Sequence, residues 1–135
     1  MSKLLERLRD ASRSGVYRAA AADAILDATR ASGLDVQTID AGKDPLDAIA
    51  RVLRFPAWYG RNWDALEDLL ADLSWRPGRE RVLVFAAYPG GRDLDRLLDV
   101  LRSAAAHWAG RGVPFFAVMI DPAKSLPLPE LYRGA

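Results

Sequence analysis

A small α/β domain built on a parallel sheet is the fold class this sequence predicts, and three observations carry the prediction. Strand-like runs alternate with helix-like runs along most of the chain. The runs at 81–85 and 115–120 are continuously apolar, as expected of parallel strands buried on both faces. The 135 residues suit one domain, and the half that are apolar suffice for one core. Strands separated by helices imply right-handed crossovers.

Residues 1–13 mix charge and apolar groups and read as a short helix or a frayed tail. Val16, Tyr17 and Arg18 follow Ser14-Gly15 and read as a brief strand. Residues 20–32 are Ala-rich, with Ile25, Leu26 and Thr29 at helical spacing and Gly33 as a stop. Residues 36–40 alternate and carry β-branched side chains, a strand signature. Asp44-Pro45 places an N-cap and an N1 proline before Leu46, Ile49, Ala50 and Leu53. That helix must stop before Pro56, because the residue preceding a proline avoids the helical region. A second helix is expected over 62–74, then a turn at Trp75-Arg76-Pro77-Gly78. After the strand at 81–85, Pro89-Gly90-Gly91 breaks the chain. Leu94, Leu97, Leu98, Leu101, Ala104, Ala105 and Trp108 then define a long amphipathic helix ending near Gly110. The strand at 115–120 is the last. The tail from Asp121 holds three prolines and is read as an irregular wrap or a disordered segment.

Composition narrows the function. There is no Cys, so disulfides, thiolate nucleophiles and Cys-based zinc sites are excluded. Net charge is +1, without the basic bias of a nucleic-acid binder, and no direct nucleic-acid partner is expected. No run approaches a membrane span, and no apolar signal segment follows the first residues. The expected setting is cytoplasmic, with no membrane partner. Pro89-Gly90-Gly91-Arg92 lacks the pattern of a phosphate-binding or dinucleotide loop. Ser103 and His107 lie one helical turn apart without a third group. Asp64, Asp68 and Asp72 on one helix turn too far apart to enclose a hard cation. No catalytic residue, metal or cofactor is therefore expected.

The informative stretch is 55–73. At about 100° per residue, Trp63, Leu66, Leu69, Leu70 and Leu73 fall on one side of a helix, and Asp64, Glu67, Asp68 and Asp72 on the other. Between Gly60 and Leu73 four acids stand against Arg61, a local charge of −3. Like charges one turn apart cost about a few tenths of a kcal/mol per pair. A face shaped for stability alone would interleave Lys or Arg, so the uncompensated repulsion points to a cationic partner. Of the adjacent aromatics Trp58 and Tyr59, one is expected to be exposed and the other in the core. Gly60 permits a positive φ or close approach of a partner backbone, and Asn62 suits an N-cap.

Phe55-Pro56-Ala57-Trp58-Tyr59-Gly60-Arg61-Asn62-Trp63-Asp64-Ala65-Leu66-Glu67-Asp68-Leu69-Leu70 resembles the signature of the barstar family, intracellular protein inhibitors of the ribonuclease barnase. That signature is an apolar residue and Pro, one residue, two aromatics, Gly, any residue, Asn, an apolar residue, Asp-Ala-Leu, any residue, Asp and an apolar pair. The resemblance continues more weakly from about Val36 to Ile120. It implies a three-stranded parallel sheet packed with helices, to which the front of the chain would add a fourth strand and a helix at the sheet edge. We divide the single domain into an extension (1–33), a barstar-like core (34–121) and a Pro-containing tail (122–135).

By resemblance the chain is no enzyme. It is a proteinaceous inhibitor of a cytotoxic, basic ribonuclease, occluding the active site with the acidic helix and the aromatic loop before it. Trp58 would stack on the ribonuclease, Tyr59 would stay in the core, and Asp64 and Asp68 would meet basic active-site residues. The expected partner surface is Trp58, Gly60, Asn62, Asp64, Glu67 and Asp68. Glu67 stands where the family has a large aromatic, and His107 roughly where it has an acidic contact residue. Two other readings compete. One is an interaction scaffold of the same fold binding a non-nuclease partner. The other is a hydrolase or metal-dependent enzyme using the acid cluster. The inhibitor reading requires Asp64 and Asp68 exposed and unpaired. The enzyme reading requires buried carboxylates with raised pKa beside a base.

Overall fold

The computed structural model describes residues 3–132. In chain order it contains α1 (Lys3–Leu8), a 3-10 turn at Ala11–Arg13, β1 (Gly15–Ala19), α2 (Asp23–Thr29), β2 (Asp35–Asp40), α3 (Pro45–Val52), α4 (Trp63–Leu70), β3 (Arg81–Ala87), α5 (Gly91–Ala109) and β4 (Phe115–Ile120). The strands form one parallel sheet in the order β1-β4-β3-β2. The expected α/β fold is present, and β1 supplies the fourth strand at the edge beside β4. In the register, Gly15 lies opposite Phe116, Phe115 opposite Arg81, and Arg81 opposite Asp35.

Strand alternation divides the core in two. Leu83, Phe85, Phe115, Ala117 and Met119 pack with Ile49 of α3, Leu66 and Leu70 of α4, and Leu97 and Leu101 of α5. Val82, Val84, Phe116 and Val118 pack with Leu8 of α1, Ile25 of α2 and Leu131 of the tail. Topology explains the split. From β1 to β2 the chain crosses the sheet one way, and from β2 through β3 to β4 it returns. Right-handed crossovers in opposite directions put their helices on opposite faces. The front of the chain was expected at the sheet edge. Its strand is there, but α1 and α2 cover a whole face.

Local chemistry sets the element ends. Asp44 accepts a hydrogen bond from the Asp47 amide at 3.1 Å, and Pro45 opens α3 as expected. Arg54 turns out of the helix with φ 56°, ahead of Phe55-Pro56. Helix α2 spans less than the 20–32 expected, and Ala31 (φ 59°) and Gly33 (φ 85°) turn the chain beyond it. Helix α4 also falls short of the expected 62–74. It ends at Leu70, whose carbonyl accepts the Trp108 indole N–H at 2.8 Å, and Leu73 follows with φ 52°.

Of the two readings for the tail, the irregular wrap is the one observed over its described part. The Arg18 amide donates to the Pro129 carbonyl (2.9 Å), and the Leu131 amide to the Arg18 carbonyl (3.0 Å). The Arg18 side chain holds the Leu128 carbonyl (2.9 Å) and Glu130 (3.1 Å). Leu128 enters one core and Leu131 the other, so the tail seals the sheet edge at β1. Asp121 anchors the wrap. Its carboxylate accepts from the Leu126 amide (2.8 Å) and the Ser125 hydroxyl (2.9 Å). The amide of Leu126 holds its pKa below the usual range, against burial.

Candidate functional site: the acidic helix and the loop before it

The loop from α3 to α4 is built on an aromatic base. The Phe55 ring meets Tyr59 edge-on at 4.9 Å and Trp75 at 5.5 Å, and the Trp75 indole N–H donates to the Leu53 carbonyl at 2.9 Å. The Tyr59 amide donates to the Pro56 carbonyl at 3.1 Å, closing a turn. With Tyr59 drawn under the loop, Trp58 points outward and is 73% exposed. The division expected of the aromatic pair is therefore observed. Burial pushes the Tyr59 phenol pKa up, and the charges of Asp44 and Asp47 push the same way against Arg61. The Tyr59 hydroxyl is buried without a hydrogen-bond partner among the described residues.

Asn62 caps α4, its side-chain oxygen accepting from the Ala65 amide at 2.8 Å. Its side-chain amide also donates to the Gly60 carbonyl at 3.3 Å, tying loop to helix. Leu66, Leu69 and Leu70 are buried, which turns the opposite face outward. On that face Asp64, Glu67 and Asp68 are exposed. Their carboxylates make no hydrogen bond or ion pair among the described residues. The condition set for the inhibitor reading is met, and the buried carboxylates of the enzyme reading are absent from this face.

Three expectations need correction. Of the two roles offered for Gly60, the positive φ is not taken: the left-handed residue is its neighbour Arg61, with φ 51°. A Cβ on Gly60 would sit 3.3 Å from the Asn62 side-chain amide, so its glycine relieves crowding against the cap. Arg61 does not offset the acids of α4. Its guanidinium turns to α3 and bridges Asp44 (3.5 Å) and Asp47 (3.3 Å). Asp72 is not part of the helical stripe. It lies past the end of α4 and accepts from the Ser74 amide at 3.3 Å.

Two features of the site were not foreseen. One is the Arg61 bridge. The other is a cluster behind α4, where Asp35 accepts both guanidinium arms of Arg76 (2.9 Å each), the Gln37 side-chain amide (2.9 Å) and Arg81 (2.5 Å). Arg81 also donates to the Gly78 carbonyl at 2.9 Å. These bonds pin the return from α4 to the first residues of β2 and β3. Burial works against ionised Asp35, yet the hydrogen bonds from Arg76, Gln37 and Arg81 hold its pKa below the usual carboxylate range. His107 is half-buried in the last turn of α5 and meets Trp108 edge-on at 5.1 Å. Through the Trp108–Leu70 bond that turn adjoins the C-terminal end of α4. Among the described residues no group of three His, Asp or Glu is placed to hold a metal ion, and no helix is long and apolar enough to cross a membrane.

Fold and site together define an α/β domain that offers free carboxylates on a rigid helix beside an outward tryptophan. The sequence profile of the barstar (barnase inhibitor) family matches residues 29–120, more than half of the chain, and the chain belongs to that family. Its members are non-enzymatic inhibitors, and the family implies a ribonuclease as protein partner. No curated protein and no solved structure matches the chain.

Proposed function

We propose that this chain inhibits a cytotoxic, basic ribonuclease of the barnase type by occluding its active site with α4 and the loop before it. The observation that carries the reading is the run of free, exposed carboxylates on Asp64, Glu67 and Asp68 beside the outward Trp58. A ribonuclease holds its phosphodiester with Arg, Lys and His. Carboxylates on a rigid helix occupy those anion sites by charge-assisted hydrogen bonds and present nothing to cleave. Trp58 stacks on the enzyme surface, and the exposed Gly60 lets the partner backbone come close. Asn62 holds the helix start in place. Glu67 adds charge where the family has an aromatic, which suits a ribonuclease with more cation at that point. The partner is protein, bound in the cytoplasm, with no direct nucleic-acid contact.

The test is titration of the purified chain into barnase-type ribonucleases, with binding and RNA cleavage read together. Loss of cleavage at stoichiometric inhibitor, relieved by combining Asp64→Ala with Asp68→Ala, is the expected result. Binding without inhibition would favour an interaction scaffold of the same fold. Absence of both binding and inhibition would overturn the proposal.

A further inference from the structure

Arg61 is the only cation between Phe55 and Leu73, and it stands next to the N-cap of the acidic helix. Its backbone is left-handed (φ 51°), a conformation costly for a side-chain-bearing residue unless its surroundings impose it. Contacts flank it on both sides. On one side the guanidinium spans two carboxylates of α3, Asp44 at 3.5 Å and Asp47 at 3.3 Å. On the other, the Asn62 side chain bonds the Gly60 carbonyl and the Ala65 amide. The Tyr59 hydroxyl is buried in the field of Asp44, Asp47 and Arg61, without a hydrogen-bond partner among the described residues. No hydrogen bond from the Tyr59 hydroxyl to a described residue helps to hold the loop, whereas the Arg61 ion pairs tie it to α3.

We infer that Arg61 is the positioning residue of the docking loop: its bridge to Asp44 and Asp47 fixes the backbone around Trp58 and Gly60 and keeps its own charge off the face of α4. The inference deepens the proposed ribonuclease-docking reading and rests on it for its functional part. Swung free, Arg61 would set a cation beside Asp64 and repel a basic partner. Bridged to α3, it shares its charge with Asp44 and with Asp47, which Arg51 also pairs at 3.2 Å, and leaves the three acids on the face of α4 unscreened.

The experiment compares Arg61→Asn, Arg61→Lys and the wild type. Asn tolerates the left-handed backbone but cannot span the two carboxylates. In Arg61→Asn the backbone order parameters over 57–61 should fall from about 0.85 towards 0.6 or below, with the thermal midpoint of the domain unchanged. The wild type in high salt should loosen in the same way, because pairs this exposed are screened. Arg61→Lys should recover part of the order. Against a barnase-type ribonuclease, Arg61→Asn should weaken affinity about five- to tenfold through loop disorder, and Arg61→Lys should restore some of it. Unchanged order parameters in Arg61→Asn would overturn the inference, as would a loosened loop with undiminished ribonuclease affinity. If the wild type itself binds no ribonuclease, the docking reading fails, while the loop measurement still decides whether Arg61 positions the loop.

Discussion

Arg81 is nearly inaccessible, and Asp35 is the carboxylate that compensates it. Breaking a buried pair by removing one partner costs about 3–5 kcal/mol, because the remaining charge is left without a counter-ion. Asp35→Asn should therefore lose about 3 kcal/mol of stability at pH 7 by urea unfolding, with Arg76 also freed. The pH dependence follows from the lowered Asp35 pKa. A depressed folded pKa contributes stability that is fully present above the unfolded carboxylate value, about 3.9, and is lost as pH falls through the folded value. Wild type should weaken over that acid range more steeply than Asp35→Asn, and equal slopes would show that Asp35 is not the linked group. On the outer face of α4 the logic reverses. Asp64 and Asp68 have no partner among the described residues to lose, so replacing both by Ala relieves repulsion and should leave the melting temperature unchanged or higher. Ribonuclease affinity should fall by more than tenfold, about 1.4 kcal/mol, mainly through faster dissociation. A change within about twofold would show that α4 is not the interface.

Helix α4 shows what sequence periodicity resolves and what it does not. The split between the buried Leu66, Leu69, Leu70 side and the exposed Asp64, Glu67, Asp68 side follows the helical period, and Asn62 reads as the cap it is. Periodicity overruns the C-terminal end, since Leu73 keeps the period after the helix has stopped at Leu70. At that end the Leu70 carbonyl accepts the indole N–H of Trp108, 38 residues away in sequence. Apolar spacing put Trp108 on the buried side of α5 but carries no sign of where a single N–H group will point. Arg61 shows the same limit of sequence. Proximity in sequence suggested the acids of α4, while the left-handed backbone sends the side chain to α3. The prediction at this scale is that Trp108→Phe keeps the packing but leaves the Leu70 carbonyl without its donor. It should cost about 1 kcal/mol and speed amide exchange over 71–73, where the chain leaves the helix. Equal exchange in the two proteins would show that the bond does not set the helix end.

Across the whole molecule, the decisive pattern was the unbroken apolarity of 81–85 and 115–120. A strand half-exposed to water alternates; these do not, so both faces of the sheet need cover. Helices α3, α4 and α5 supply one cover. The other had to come from chain outside the family's span, and Leu8, Ile25 and Leu131 provide it. The sequence announced that need without saying which segment would meet it, because an Ala-rich helix such as α2 advertises little apolar area of its own. The consequence is sharper than loss of an edge strand. Deleting residues 1–33 exposes Val82, Val84, Phe116 and Val118, all of them fully buried in the intact chain. Burial of each such side chain contributes about 1.5–3 kcal/mol, so the four together approach the roughly 5–15 kcal/mol by which a domain is stable. The deletion also removes β1, to which the tail is bonded, and with it the seat of Leu131. A chain starting at Leu34 should keep much of its secondary structure. It should lose near-ultraviolet circular dichroism, bind an apolar dye and self-associate, as chains that keep their collapse but lose their packing do. Size-exclusion chromatography and urea titration of that truncated chain decide the matter. A monomer that unfolds cooperatively would mean that three helices on one face suffice, and that α1 and α2 are an ornament on the inhibitor fold rather than half of its core.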